Sequence, residues 1–217
     1  MHELRIVVAD DHALVRRGIC ELLELQQGWK VVAQAANGRE AVEAVAKHRP
    51  NVLVIDLAMP ELNGLTAARE VLRGFPKTQI VLLTMHNTDQ TIREVLKCGA
   101  RGYVLKSDAE QDLIAAVKAV AQGKPFFTPS VADLVLRGYL SQNAQSDSPQ
   151  QVPELTTRER EVVQLLAEGK GNKDVATAMR VSVKTVEAHR SNINRKLSIR
   201  TTSDLVRYAV RNAIIEP

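Results

Sequence analysis

Four apolar runs of this chain are followed by residues able to handle a charged oxygen ligand: Asp10-Asp11, Asp56, Thr84 and Lys106. Carboxylates gathered in one small crevice repel one another, and their ionised forms coexist only around a cation. Hard oxygen ligands with room for water suit a magnesium-type ion, which keeps several waters and binds through one or two carboxylates plus phosphate oxygens. Lys106 adds a fixed positive charge that can pair with a phosphoryl group, and Thr84 adds a hydroxyl donor. An aspartate beside such an ion can itself act as nucleophile and form an acyl phosphate. Taken singly, each acid could equally be a turn former or a helix cap. As a set at successive strand ends, they point to one site.

The elements that must position these residues can be read from the hydrophobic pattern. β-type runs at Leu4–Ala9, Lys30–Ala35, Val52–Ile55, Ile80–Leu83 and Gly102–Leu105 alternate with helical patterns near 13–27, 38–48, 64–74, 88–98 and 110–122. Gly28, Pro50, Pro76, Gly99 and Gly123 punctuate the ends of those helices. Regular βα alternation predicts an α/β fold, a five-stranded parallel sheet with helices on both faces. Ligands of such sheets bind at the carboxyl ends of the strands, where the acids, Thr84 and Lys106 fall.

Residues 4–122 resemble the receiver domain of a two-component response regulator, on the Asp10-Asp11 pair, the stretch Asp56-Leu57-Ala58-Met59-Pro60 with Gly64, and Thr84, Tyr103 and Lys106. The resemblance implies a doubly wound, flavodoxin-like fold. It also implies that Asp56 accepts a phosphoryl group from a sensor histidine kinase. By the same resemblance Asp11, Asp56 and the carbonyl of Ala58 bind Mg²⁺, with Asp10 acting through water. Thr84 and Lys106 hold the phosphoryl oxygens, and Tyr103 swings inward as a switch. Ala58 and His86 occupy the two variable positions that set the lifetime of the phosphorylated state.

Beyond Gly123 the pattern predicts a short helix, Val131–Leu140, and then the composition changes. Residues 141–154 carry only Ala144 and Val152 as apolar residues, with two prolines, as a flexible tether would. The expected organisation is therefore a receiver at 1–125, a short helix and linker at 126–154, and a second domain at 155–217. Charge divides the same way: residues 151–217 hold 12 of the 29 basic residues and 8 of the 25 acidic ones, so residues 1–150 hold 17 of each. The whole net charge of +4 thus belongs to the C-terminal part, which favours a polyanion partner there.

That part reads as four helices. Thr156 and Glu159 have capping-box spacing before an apolar face that stops at Gly169; a short helix near 172–179 follows, then a long one at 183–197 capped by Ser182, then one from about 202 to 213. The second and third, joined by Arg180-Val181, predict a helix-turn-helix whose long helix enters the major groove. The residues expected at DNA are Lys184, Thr185, Glu187, Ala188, His189, Arg190, Ser191, Arg195 and Lys196. Of these, the basic side chains suit phosphates, and Glu187, Ala188 and Ser191 suit base edges. Residues 155–217 resemble the LuxR-type helix-turn-helix domain, on Leu155-Thr156-x-Arg158-Glu159, Leu165-Leu166-Ala167-x-Gly169, Asn172-Lys173-x-Val175-Ala176 and Val183-Lys184-Thr185-Val186-x-x-His189. The two resemblances together have the arrangement of the NarL/FixJ subfamily. Met179-Arg180 departs from it, since Leu-Gly or Leu-x is commoner before the turn. The apolar last helix, through Leu205, Tyr208 and Ala209, is the dimer contact that the resemblance implies.

The expected function is that of a DNA-binding transcriptional regulator, not an enzyme, activated through Asp56. The alternatives weighed are a constitutive DNA-binding regulator with a vestigial receiver and a metal-dependent phosphatase. Expected partners are the kinase, double-stranded DNA and a second copy of the chain after phosphorylation, with RNA polymerase a further candidate. No apolar run approaches the roughly 20 residues that cross a bilayer. The amino terminus has no signal-peptide layout, which predicts a cytoplasmic protein. In that reducing compartment Cys20 and Cys98 are expected to be small core hydrophobes.

Overall fold

In the computed structural model the described residues are 3–85, 89–128, 131–132, 155–199, 201–212 and 214–215. Strands β1 (Leu4–Ala9), β2 (Trp29–Ala35), β3 (Val52–Asp56), β4 (Gln79–Thr84), β5 (Gly102–Leu105) and β6 (Phe126–Phe127) form one sheet in the order β2-β1-β3-β4-β5-β6. Every pairing is parallel. Helices α1 (Ala13–Glu24), α2 (Gly38–His48), α3 (Gly64–Gly74), α4 (Asp89–Cys98) and α5 (Ala109–Ala121) return the chain between strands. A single 3₁₀ turn, Lys106–Asp108, precedes α5.

All five residues of β3 are buried, as the central strand of a doubly wound sheet must be. Alternate side chains feed two cores. Leu53, Ile55, Ile80 and Leu82 pack with α2, α3 and α4 on one face. Ile6, Val8, Val52, Val54, Val81 and Val104 pack with α1 and α5 on the other. Asn37 and Asn63 start α2 and α3 by accepting from the amides of Glu40 and Thr66, which satisfies donors that the helices cannot.

Two expectations need correcting. The sheet has six strands rather than five, because the chain turns back at Gly123 (φ +75°) and the Phe126 amide finds the carbonyl of Arg101 at the edge of β5. Two residues are too few to show alternation. Helix α1 ends at Glu24, short of 27, where Gln26 and Trp29 amides turn onto Leu23 and Gln26 and Gly28 takes φ +84°. Only Val131 and Ala132 of the predicted 131–140 helix are described, and both are helical. The predicted tether at 141–154 and His86 lie outside the described residues.

The C-terminal helices are α6 (Thr157–Ala167), α7 (Asn172–Met179), α8 (Val183–Leu197) and α9 (Thr202–Arg211). They close on Val162, Val163, Leu165, Val175, Met179, Val186, Ile193, Leu205 and Ala209. The capping box of Thr156 and Glu159 is formed, and Ser182 caps α8 through the Thr185 amide. Arg180 closes α7 at φ +55°, the left-handed region that the family's glycine would enter freely.

Candidate functional site

The carboxyl edge of the sheet gathers the predicted residues. Asp10 and Asp56 are buried at the ends of β1 and β3, and Thr84 at the end of β4. Lys106 extends from the end of β5 so that its Nζ lies 2.9 Å from Asp10 Oδ2 and 2.9 Å from Asp56 Oδ2. Burial alone would lower the lysine's pKa, but the carboxylates of Asp56 and Asp10 outweigh it and hold the ammonium above its usual value. Asp11 is part-exposed beside them, with its Oδ1 3.0 Å from His12 Nδ1. Backbone contacts brace the rim: the His12 amide donates to Asp10 Oδ1 at 2.8 Å, and Leu57 N–H donates to Leu83 at 2.8 Å.

Formal charge gives the chemistry of this donor set. Asp10, Asp11 and Asp56 carry three negative charges against the one positive charge of Lys106, a deficit that a divalent, oxygen-loving ion would cancel. Asp10, Asp11 and His12 bring ligand atoms within 4.8 Å of one another. Hard carboxylate oxygens fit Mg²⁺.

Gly64 permits this pocket. Its amide donates to Leu57 at 2.9 Å, and a Cβ there would stand 1.9 Å from the carbonyl oxygen of Asp56. Helix α3 can begin directly behind the aspartate only because that carbon is missing.

Tyr103 is fully buried and shares a hydrogen bond with the Thr84 side chain. Burial pushes its hydroxyl up to about 12, and the Thr84 bond only partly offsets this. The inward position that the resemblance ties to the phosphorylated form is thus already occupied. The ring belongs to the α2–α4 core, and burying an aromatic of this size contributes about 1.5–3 kcal/mol.

On α8, Lys184, Thr185, Glu187, Ala188, Ser191 and Arg195 are exposed, and His189, Arg190 and Lys196 are half-buried. Two of the basic residues have work inside the domain. Arg190 donates to Asn172 Oδ1 at 2.7 Å, fixing α8 against α7. Lys196 Nζ meets Glu159 Oε2 at 2.6 Å. Burial would raise the Glu159 carboxyl, but Lys196 and the Thr156 amide overcome it and hold it below the usual range. Thr185 shares a hydroxyl contact of 2.8 Å with Ser182. The dimer expectation also changes: Leu205 and Ala209 are buried in the domain's own core and Tyr208 packs against it. The apolar surface of α9 is used internally at i, i+4 spacing, leaving Val206 and Val210 half-exposed.

Sequence reasoning missed the polar face of α6. Glu159, Arg160, Glu161 and Gln164 are all buried, and three of them reach the receiver. Arg39 Nη2 lies 3.4 Å from Glu161 Oε1. Glu94 of α4 sits 3.3 Å from Arg160 and 2.7 Å from Arg69. Gln164 Oε1 accepts the Asn63 amide at 2.8 Å, and its Nε2 donates to the Met59 carbonyl at 2.7 Å. A glutamine and three charges on one short helix were the available signal, but they read equally as a solvated face.

A parallel sheet with this acid, hydroxyl and lysine edge, followed by a helix-turn-helix unit, defines a response regulator with a DNA-binding output domain. Residues 6–118 match the response regulator receiver domain and residues 153–209 the luxR family of bacterial regulatory proteins, and the chain belongs to this two-component family of transcriptional regulators. It is 41% identical over 219 residues to the oxygen regulatory protein NreC of Staphylococcus epidermidis, covering 98% of this chain and 100% of the relative. The NreC of Staphylococcus carnosus is 38% identical, with the same coverage. Among solved structures, the RcsB response regulator of Salmonella typhimurium is 28% identical with a TM-score of 0.70, covering 98% of this chain and 99% of that one. A complex of RcsB with DNA is 29% identical with a TM-score of 0.60, covering 97% and 99%. No helix among the described residues is long and apolar enough to cross a membrane.

Proposed function

We propose that Asp56 is the phosphoacceptor through which a sensor histidine kinase sets the DNA affinity of this regulator. The observation that carries this is the ion triple in which Lys106 bridges Asp10 and Asp56 at 2.9 Å each, beside Thr84. A carboxylate oxygen of Asp56 attacks the phosphorus of a phosphohistidine, the P–N bond breaks, and the imidazole leaves as the P–O bond of an acyl phosphate forms. Lys106 is placed to leave its contact with Asp56 for the new phosphoryl oxygens, and Thr84 to donate to them. Asp11, Asp56 and the Ala58 carbonyl, with Asp10 beside them, would hold Mg²⁺, which when bound would supply charge neutralisation for the transferred group. Asp10, Asp11 and Asp56 would anchor the ion, and Ala58 lies on the short loop before α3.

Output follows from α8, which presents Lys184, Glu187, Ala188, Ser191 and Arg195 to solvent. A single helix-turn-helix makes few contacts, and two-fold dimers reading paired half-sites are the usual remedy. We infer dimerisation on phosphorylation, with Tyr208, Val206 and Val210 as the half-exposed part of the α9 contact. The RcsB structure bound to a promoter in the presence of the phosphomimetic BeF3- supports the link between an occupied receiver and DNA binding. Incubation with phosphoramidate and Mg²⁺, followed by intact mass, sedimentation and DNA titration, tests it. One phosphoryl increment, a doubled sedimenting mass and tighter DNA binding are expected. Unchanged mass and unchanged affinity would rule the coupling out.

A further inference from the structure

Helix α8 opens on Val183, the only large apolar side chain that is exposed, at 37%, among the described residues of the C-terminal domain. Its apolar neighbours behave otherwise. Val186 and Ile193 are fully buried in the domain core, and Val181 and Leu197 pack against it, whereas Val183 joins neither set. Helix formation gives no reason for it, since a β-branched residue is a poorer helix former than alanine. Its place on α8 is more telling. Glu187 and Ser191 follow it at i+4 and i+8 and are both exposed, so the three side chains stand in one file along the face proposed to read DNA. The first turn beneath Val183 is held firmly: Ser182 Oγ accepts the Thr185 amide at 3.1 Å and lies 2.8 Å from Thr185 Oγ1. A valine in a helix keeps essentially one χ1 rotamer. Two methyl groups are therefore presented at the tip of the helix with little side-chain freedom left to lose on contact.

We propose that Val183 is a specificity-determining residue of the DNA interface, which reads the C5-methyl group of a thymine at one position of each half-site. The inference rests on the placement of α8 in the major groove. In that groove the thymine methyl is the one apolar feature that an unmodified base pair presents, and apolar side chains recognise it by contact. Glu187 and Ser191 can bond to the donors and acceptors of base edges. Val183 can do neither and suits only the methyl. A turn of α-helix rises about 5.4 Å and base pairs are spaced about 3.4 Å apart. The thymine therefore belongs one or two base pairs from the base met by Glu187, toward the amino end of α8. Cytosine at the same position would turn its N4 amino donor toward a surface that cannot accept a hydrogen bond, so the valine rejects as well as attracts.

The full chain, with and without beryllofluoride and Mg²⁺, is used to select duplexes from a random-sequence pool. Each thymine of the recovered site is then replaced by deoxyuridine, which removes the methyl and leaves every hydrogen-bonding group of the base in place. At one thymine of each half-site the wild type is expected to lose about 4-fold in affinity, the contribution of burying one methyl-sized group. Val183→Ala alters an exposed position toward a better helix former and should fold as the wild type does. It is expected to bind the thymine and deoxyuridine duplexes equally at that position, and to accept cytosine there when it selects from the pool. Glu187→Gln, run alongside, should keep the whole deoxyuridine penalty while its preference changes at a neighbouring base pair. A wild type that shows no deoxyuridine penalty, or a penalty that persists in Val183→Ala, overturns the proposal. Recovery of no preferred sequence in either condition overturns the placement of α8 in the groove instead.

Discussion

Lys106 Nζ stands 2.9 Å from Asp56 Oδ2, so the proposed phosphoacceptor is already paired with a cation that a new phosphoryl group could take over. The same ammonium is 2.9 Å from Asp10. Removing it as Lys106→Met leaves two buried carboxylates facing each other, which should destabilise the receiver by about 3–5 kcal/mol. Added Mg²⁺ should restore more stability to the variant than to the wild type. Denaturant titration with and without the ion checks both statements. Because the folded pKa of Lys106 is raised above 10.5, its contribution is complete below that pH and is lost as pH climbs through the folded value. The variant should therefore lose that part of the alkaline decline.

Asp56→Asn should abolish the acyl-phosphate mass increment. Asp11→Asn should keep an acceptor that labels slowly, because an ion ligand is gone. Intact mass against time with phosphoramidate separates the two, and full labelling of Asp56→Asn would sink the assignment.

Tyr103 is fully buried and its hydroxyl is pushed up to about 12 from its ordinary value of 10.0. The unfolded chain releases this proton first, so stability is intact below pH 10 and falls between 10 and about 12. The loss should reach on the order of 2–3 kcal/mol. Tyr103→Phe should flatten this decline while losing the Thr84 hydrogen bond, which stability curves at neutral and alkaline pH would resolve.

For the DNA interface, Lys184→Ala or Arg195→Ala should weaken binding to all sequences and reduce the salt slope by about one per lost phosphate contact. Changing Glu187 or Ser191 should instead shift sequence preference by on the order of 1–3 kcal/mol. Lys196→Ala should also destabilise the domain, because it strips the buried Glu159 of its 2.6 Å partner. Titrations on specific and random duplexes at several salt concentrations distinguish these cases.

Arg180 occupies the left-handed region at φ +55°. Arg180→Gly should stabilise the C-terminal domain by about 1 kcal/mol, less the entropy that glycine adds to the unfolded chain. Thermal unfolding measures the balance, and a lower melting temperature would show that the entropy dominates.

Much of this protein was legible in its residue order because the signals are local. Strand–helix alternation, the stops at Gly28 and Gly99, the Thr156–Glu159 box and the strand-end placement of Asp10, Asp56, Thr84 and Lys106 need only neighbours within a few residues. The spacing of the acids implied a shared edge, since parallel strands joined by helices bring every carboxyl end to the same side. Tertiary structure decided what depends on distant partners. Phe126–Phe127 becomes a strand only because β5 offers an open edge. Leu205 and Ala209 face inward because α6 needs covering, and Lys196 is bound to Glu159 of α6. Gln164 sits 101 residues from Asn63 in sequence, and no periodicity could foretell that its amide would fit the two backbone groups beside the acidic pocket.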